Sequence, residues 1–121
     1  METYSKYSDY RAALDEGRTT CEATVQAFVD QALARQELNA FLELWADEAL
    51  ERARHIDQKI KAGTAGKLAG MVIALKDNIC YAGHKVSASS KILEGFESLY
   101  SATVTERLLK EDAIFIGRTN C

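Results

Sequence analysis

Up to residue 65 the apolar positions of this chain follow a helical period; beyond it they gather into short continuous runs. Tyr7, Tyr10 and Leu14 fall at helical spacing and Gly17 follows, so a short first helix should end near Glu16. Thr19-Thr20-Cys21-Glu22 offers a capping box, the Thr19 hydroxyl reaching forward and Glu22 reaching back. Behind it Val25, Phe28, Val29, Ala32 and Leu33 form one apolar stripe, the clearest amphipathic helix in the chain. Such a stripe reads as core. Residues 39–44 fit a short strand joining two helices, and a third helix is expected over 46–62 with Ala49, Leu50, Ala53, Ile56 and Ile60 inward. Glu48 with Arg52, and Glu51 with His55, stand four apart on its wet side, where an ion pair adds about 0.2–0.5 kcal/mol. Trp45 at its start reads as a packing residue.

Gly63-Thr64-Ala65-Gly66 is a linker between this mainly helical layer (1–65) and the start of a core sheet (66–121). The run Met71 to Leu75, bounded by turn signals, reads as an interior strand buried on both faces. Gly83-His84-Lys85 is a turn, and 102–111 a helix carrying Val104 and Leu108 inward. The run 113–117 is a second buried strand. Strand, crossover with a helix, strand is a βαβ unit, whose right-handed crossover makes the two strands parallel neighbours or near-neighbours. The expected fold class is therefore α/β, a mixed, largely parallel sheet with the N-terminal helices outside it. No internal repeat is visible.

Lys76 falls at the carboxyl end of the first strand, where open parallel sheets place their ligand crevice. A lysine there either reaches solvent or, desolvated, is held neutral and can act as a base. On spacing alone an exposed charge is the commoner outcome. Composition narrows the classes. At 121 residues and 47% hydrophobic, the chain fits one domain or part of one. A net charge of −3 gives no general electrostatic reason to bind nucleic acid or an acidic membrane. The polar start Met-Glu-Thr-Tyr-Ser is unlike a signal peptide, and no apolar run approaches a membrane span. Cys21, Cys80 and Cys121 are odd in number and widely spaced, which points to reduced thiols and a cytoplasmic location. Proline is absent, where average usage of about 5% would give roughly six, and nothing physical explains it.

A nucleotide-binding α/β module is the competing class, and the sequence argues against it. Residues 63–68 have the wrong spacing for a P-loop and end in Leu68 where Ser or Thr would bind magnesium. Cys80 and His84 could form one pair of metal ligands, but no second pair completes a zinc site, and no metal site is expected. His55 falls on a wet helix face and His84 in a turn, neither with a companion for a triad.

Gly66-Lys67-Leu68-Ala69-Gly70 followed by Ala74-Leu75-Lys76-Asp77-Asn78 resembles the lysine-bearing block of the amidase signature family of serine hydrolases. Ser87 to Phe96, Ala102-Thr103-Val104, Glu106-Arg107-Leu108 and Ile116 to Asn120 extend the resemblance, which covers under half the chain. Lys67 and Val72 stand where the common pattern has prolines, and Leu75 replaces isoleucine conservatively. The resemblance implies that Lys76 is the base of a Ser-cis-Ser-Lys triad, relaying a proton from a nucleophilic serine that attacks an amide carbonyl and releases ammonia. Both triad serines and the oxyanion-hole loop lie, in the family, beyond the stretch corresponding to Cys121. The nucleophile is not carried onto Ser87, Ser89 or Ser90, whose expected role is loop hydrogen bonding. Asp77 and Asn78 accompany the lysine in the family block and are expected to position the active-site loop.

The Ser-Lys-Ile-Leu-x-x-Phe piece is similar to the branch of that family serving as glutaminase in tRNA-dependent amidotransferases. This implies a heterotrimer with B and C partner subunits. Glutamine would be the ammonia donor, Glu-tRNA(Gln) the acceptor, and ATP and magnesium would be used by one of those partners; the chain itself would bind no cofactor. A stand-alone amidase of small amides and a non-catalytic α/β interaction fragment remain as alternatives. The chain reads as an N-terminal portion, inactive alone.

Overall fold

A computed structural model describes residues 4–120. Its helices are α1 (Tyr7–Asp15), α2 (Cys21–Ala34), α3 (Ala46–Ala62) and α4 (Thr103–Lys110), and its strands are β1 (Phe41–Leu44), β2 (Val72–Lys76) and β3 (Ile114–Thr119). They form a three-stranded sheet of order β1-β3-β2. β3 pairs antiparallel with β1 and parallel with β2, from Val72 opposite Ile114 to Lys76 opposite Thr119. The parallel pairing follows from the two apolar runs and the crossover between them, and the antiparallel β1 makes the sheet mixed.

β3 is the buried strand. Ile114, Phe115 and Ile116 are at most 4% exposed, and α2 and α3 pack over the sheet through Cys21, Val25, Val29, Ala49, Ala53 and Ile56. Burying a side chain such as Val25, Ile56 or Ile114 stabilises by about 1.5–3 kcal/mol relative to leaving it in water. β2 departs from the expected interior strand. It lies at the sheet's edge with β3 as its one neighbour among the described residues, and only Leu75 is buried while Ala74 is exposed.

Four local expectations are also corrected. Thr20, not Thr19, caps α2: its backbone is extended and its hydroxyl oxygen accepts from Ala23 N–H at 3.0 Å. No capping box closes, because the N–H groups of Cys21 and Glu22 donate to the Asp57 carboxylate at 2.7 and 3.1 Å, and Glu22 pairs with Arg54. Asp57 of α3 thus takes two first-turn N–H groups while Thr20 keeps a third. On α2, Val25 and Val29 are core, but Phe28 and Leu33 are about half exposed, at 47% and 50%. They line an apolar groove of about 690 Å³ with Leu38, Phe41, Leu42 and Val72. On α4, Val104 faces solvent and Thr105 is fully buried, its hydroxyl donating to the Cys80 carbonyl at 2.9 Å. A threonine with a carbonyl partner can be buried at little cost, so it sets the helix phase. Finally, Arg52 leaves Glu48 and donates to the Ala113 and Leu109 carbonyls at 2.7 and 2.9 Å, tying α3 to the α4–β3 turn.

Candidate active site

The turn before β2 fixes where Lys76 emerges. Gly66 N–H donates to Asp112 Oδ2 at 2.7 Å, and Leu68 N–H to the Glu111 carbonyl at 3.0 Å. From the other side Arg11 Nη1 donates to Gly66 O (2.7 Å), and the Tyr7 and Tyr10 hydroxyls donate to Ala69 O (2.8 Å) and Gly70 O (3.0 Å). A Cβ on Gly66 would lie 2.7 Å from the Glu111 carbonyl carbon, so this approach demands glycine. Lys67, standing in place of a proline, uses its restored N–H to reach Glu111 Oε2 at 2.8 Å. The turn is pinned from both sides.

Lys76 ends β2 opposite Thr119, and its side chain is exposed, with no ion pair among the described residues. Its amine is open to a hydroxyl or a substrate. Asp77, one residue on, is the opposite case: it is 1% exposed and fully committed. Oδ1 accepts from Ser87 N–H at 3.1 Å and from Arg118 Nη1, and Oδ2 accepts the Ser87 hydroxyl. Burial raises the Asp77 carboxyl, but the bonds from Ser87 and Arg118 outweigh it and hold the group below its ordinary value. Arg118 also donates Nε to Glu43 Oε1 at 2.6 Å, so one guanidinium joins β1, β3 and the residue after β2. Burial lowers its pKa, and the two carboxylates more than restore it.

Of the residues singled out from the sequence, Asp77 and Ser87 come together just past the carboxyl end of β2, directly after Lys76, whose own side chain is exposed. Ser89 and Ser90 lie in the turn that Ser87 opens, and Ser90 N–H donates to Ser87 O at 2.8 Å. His55 is exposed on α3. His84 sits in a turn, where Nε2 lies 2.8 Å from Glu48 Oε2. Its ring stacks on Tyr81 with centroids 3.9 Å apart, and Trp45 packs against it at 4.5 Å. Among the described residues no three His, Cys, Asp or Glu side chains gather as a metal would need. Arg118 and Glu43 were missed. They are 75 residues apart, and no local pattern couples them.

The amidase family profile matches residues 23–121. The chain belongs to the amidase family. It is 50% identical over 119 residues, 98% of its length, to the glutamyl-tRNA(Gln) amidotransferase A subunit of Salinibacter ruber, of which this covers 23%. It is 45% identical over 97% of its length to the protein of the same name from Chlorobium phaeobacteroides, covering 25% of that protein. The chain thus spans about a quarter of the length of these relatives. Among solved structures, the peptide amidase of Stenotrophomonas maltophilia superposes with a TM-score of 0.88 at 31% identity, over 98% of this chain and 25% of that one. The amidase fold therefore accounts for the mixed sheet. No helix among the described residues is long and apolar enough to cross a membrane.

Proposed function

We propose that this chain is part of the glutamine-hydrolysing A subunit of a glutamyl-tRNA(Gln) amidotransferase, with Lys76 as the base of a Ser-cis-Ser-Lys triad. The observation that supports it is a lysine ending a strand, followed by Asp77-Asn78, within sequence 50% identical over 98% of the chain to a protein of that name. In this reading the lysine amine, when neutral, accepts a proton relayed through one serine from the hydroxyl of another. That hydroxyl attacks the side-chain amide of glutamine. The tetrahedral intermediate collapses, the proton returns to the leaving nitrogen, and ammonia departs from an acyl-enzyme that water then hydrolyses to glutamate. The ammonia would amidate glutamate carried on tRNA(Gln), following activation by ATP and magnesium in a partner, within a heterotrimer of A, B and C subunits. The triad serines would come from outside residues 1–121.

The test is ammonia release from glutamine by the complete subunit in complex with its partners, wild type against Lys76→Arg. Arginine keeps the charge and length but cannot deprotonate near neutral pH. Turnover should fall about a thousandfold, in line with loss of a general base. Near-normal turnover would remove Lys76 from the mechanism. Rapid hydrolysis of small amides without partners or tRNA would favour a stand-alone amidase instead.

A further inference from the structure

We propose that Arg118, acting through the buried Asp77 carboxylate, is a positioning residue that fixes Lys76 and the turn opened by Ser87 at the carboxyl ends of β2 and β3. This inference rests on the reading of Lys76 as the base. Asp77 is held at both its backbone and its side chain. Its N–H donates to Thr119 O and its carbonyl accepts from Ala88 N–H, both at 3.0 Å, while its carboxylate takes the Ser87 N–H, the Ser87 hydroxyl and the Arg118 guanidinium. The residue directly after Lys76 therefore has one orientation, and the end of β2 inherits it.

The turn beyond Ser87 needs such an anchor. Ala88 and Ser89 have φ of 49° and 63°, in the left-handed region where a non-glycine residue is strained. Two consecutive residues of that kind persist when their surroundings over-determine them, and such strain gathers at functional sites. Here the over-determination is the Asp77 cradle, which captures the turn at the N–H and hydroxyl of Ser87 and at the N–H of Ala88.

Arg118 makes that cradle rigid. Its side chain is 13% exposed and bridges Glu43 on β1 to Asp77, so the carboxylate cannot rotate without breaking a charge-assisted bond. Lysine at 118 would keep the charge but could not span both carboxylates with the planar fork. An amine that must meet a serine hydroxyl within hydrogen-bond reach loses much of its effect for a displacement of about 1 Å.

The experiment compares Ser87→Ala, Arg118→Lys, Arg118→Gln and Lys76→Ala with wild type in the complete assembled complex, reading kcat and KM for glutamine, thermal midpoint and complex formation. The expected result is a graded loss of kcat. Ser87→Ala and Arg118→Lys should fall about tenfold and Arg118→Gln about a hundredfold, with KM within about threefold, assembly intact and lysine partly rescuing glutamine. Wild-type kcat in both Ser87→Ala and Arg118→Lys, with Lys76→Ala inactive, would overturn this inference alone. Losses that merely track the folded fraction, or that fall on KM, would overturn it as well. An active Lys76→Ala would overturn the triad reading and this inference with it. Ser87→Ala removes one hydroxyl from a loop, so the comparison holds even if Arg118→Gln fails to fold.

Discussion

Lys59 Nζ lies 2.8 Å from Asp112 Oδ1, joining the last turn of α3 to the turn that enters β3. The other carboxylate oxygen takes the Gly66 N–H, so one side chain fastens both approaches to the parallel strand pair. Burial raises the Asp112 carboxyl, but the bonds from Lys59 and Gly66 and the charge of Arg52 outweigh it and hold the group below its ordinary value. A carboxyl depressed in the folded state stabilises above its unfolded pKa, and that contribution is lost as pH falls through the folded value. Asp112→Asn should therefore cost about 1.5–3 kcal/mol at pH 7 and much less in strong acid. Asparagine tolerates the left-handed φ of 70° found there, so the substitution isolates the charge. Urea unfolding of the full-length protein at pH 7 and below pH 3 checks this; an equal cost at both would show that the charge is irrelevant.

Gly70 and Gly17 share a left-handed backbone, φ 80° and 75°, but not a setting. A Cβ at Gly70 would lie 2.7 Å from Cys21 Sγ and 3.0 Å from Leu14 Cδ1, whereas one at Gly17 would meet nothing within 4 Å. Gly17→Ala should cost only the backbone term, about 1–2 kcal/mol. Gly70→Ala adds overpacking of about 1–3 kcal/mol in the contact between α1, α2 and the turn before β2. Comparison of the two denaturation midpoints is the measurement. Equal losses would mean that the core yields around Cys21.

The regular elements were legible because burial imposes a period. α3 emerges over the expected residues, and Ala49, Ala53 and Ile56 are all buried. β3 reads as a buried run and is one. What escaped is tertiary competition for polar groups. Glu22 three residues on makes Thr19 the better local cap, but Thr20 caps the helix while Asp57, on another helix, takes the N–H groups of Cys21 and Glu22. Val104 looks more buried than Thr105 until the Cys80 carbonyl is in place. At the candidate site the place of Lys76 at the end of β2 was legible from the apolar run before it, while the Glu43–Arg118–Asp77 chain unites three distant segments and has no one-dimensional signature.

The two described cysteines should differ in reactivity. Cys21 is fully buried, and its thiol is pushed up to about 12, by burial first and then by the nearby Asp57 carboxylate. Cys80 is partly exposed. Iodoacetamide near pH 8 should alkylate Cys80 in the native protein and reach Cys21 only after denaturation, with peptide mass mapping as the readout. Native labelling of Cys21 would mean that α1 and α2 separate readily.

Residues 1–121 by themselves should neither hydrolyse glutamine nor remain well behaved in solution. In the proposed triad both serines come from outside this stretch, and a base without a nucleophile or oxyanion donors would leave the amide untouched. The surface gives an independent reason. Phe28, Leu33, Leu38 and Leu42 are 43–63% exposed along one groove, and β2 presents an edge unpaired among the described residues, with Ala74 bare. An exposed apolar groove beside an open strand edge is a template for association. The isolated chain should bind a hydrophobic dye strongly and sediment as mixed oligomers, whereas the full-length protein should do neither. Adding Lys or Glu at Leu38 and Leu42 should improve solubility without creating activity. Ammonia release that is present in the isolated chain and lost in its Lys76→Ala variant would show a complete catalytic site within these residues, and would overturn the proposed division of the triad.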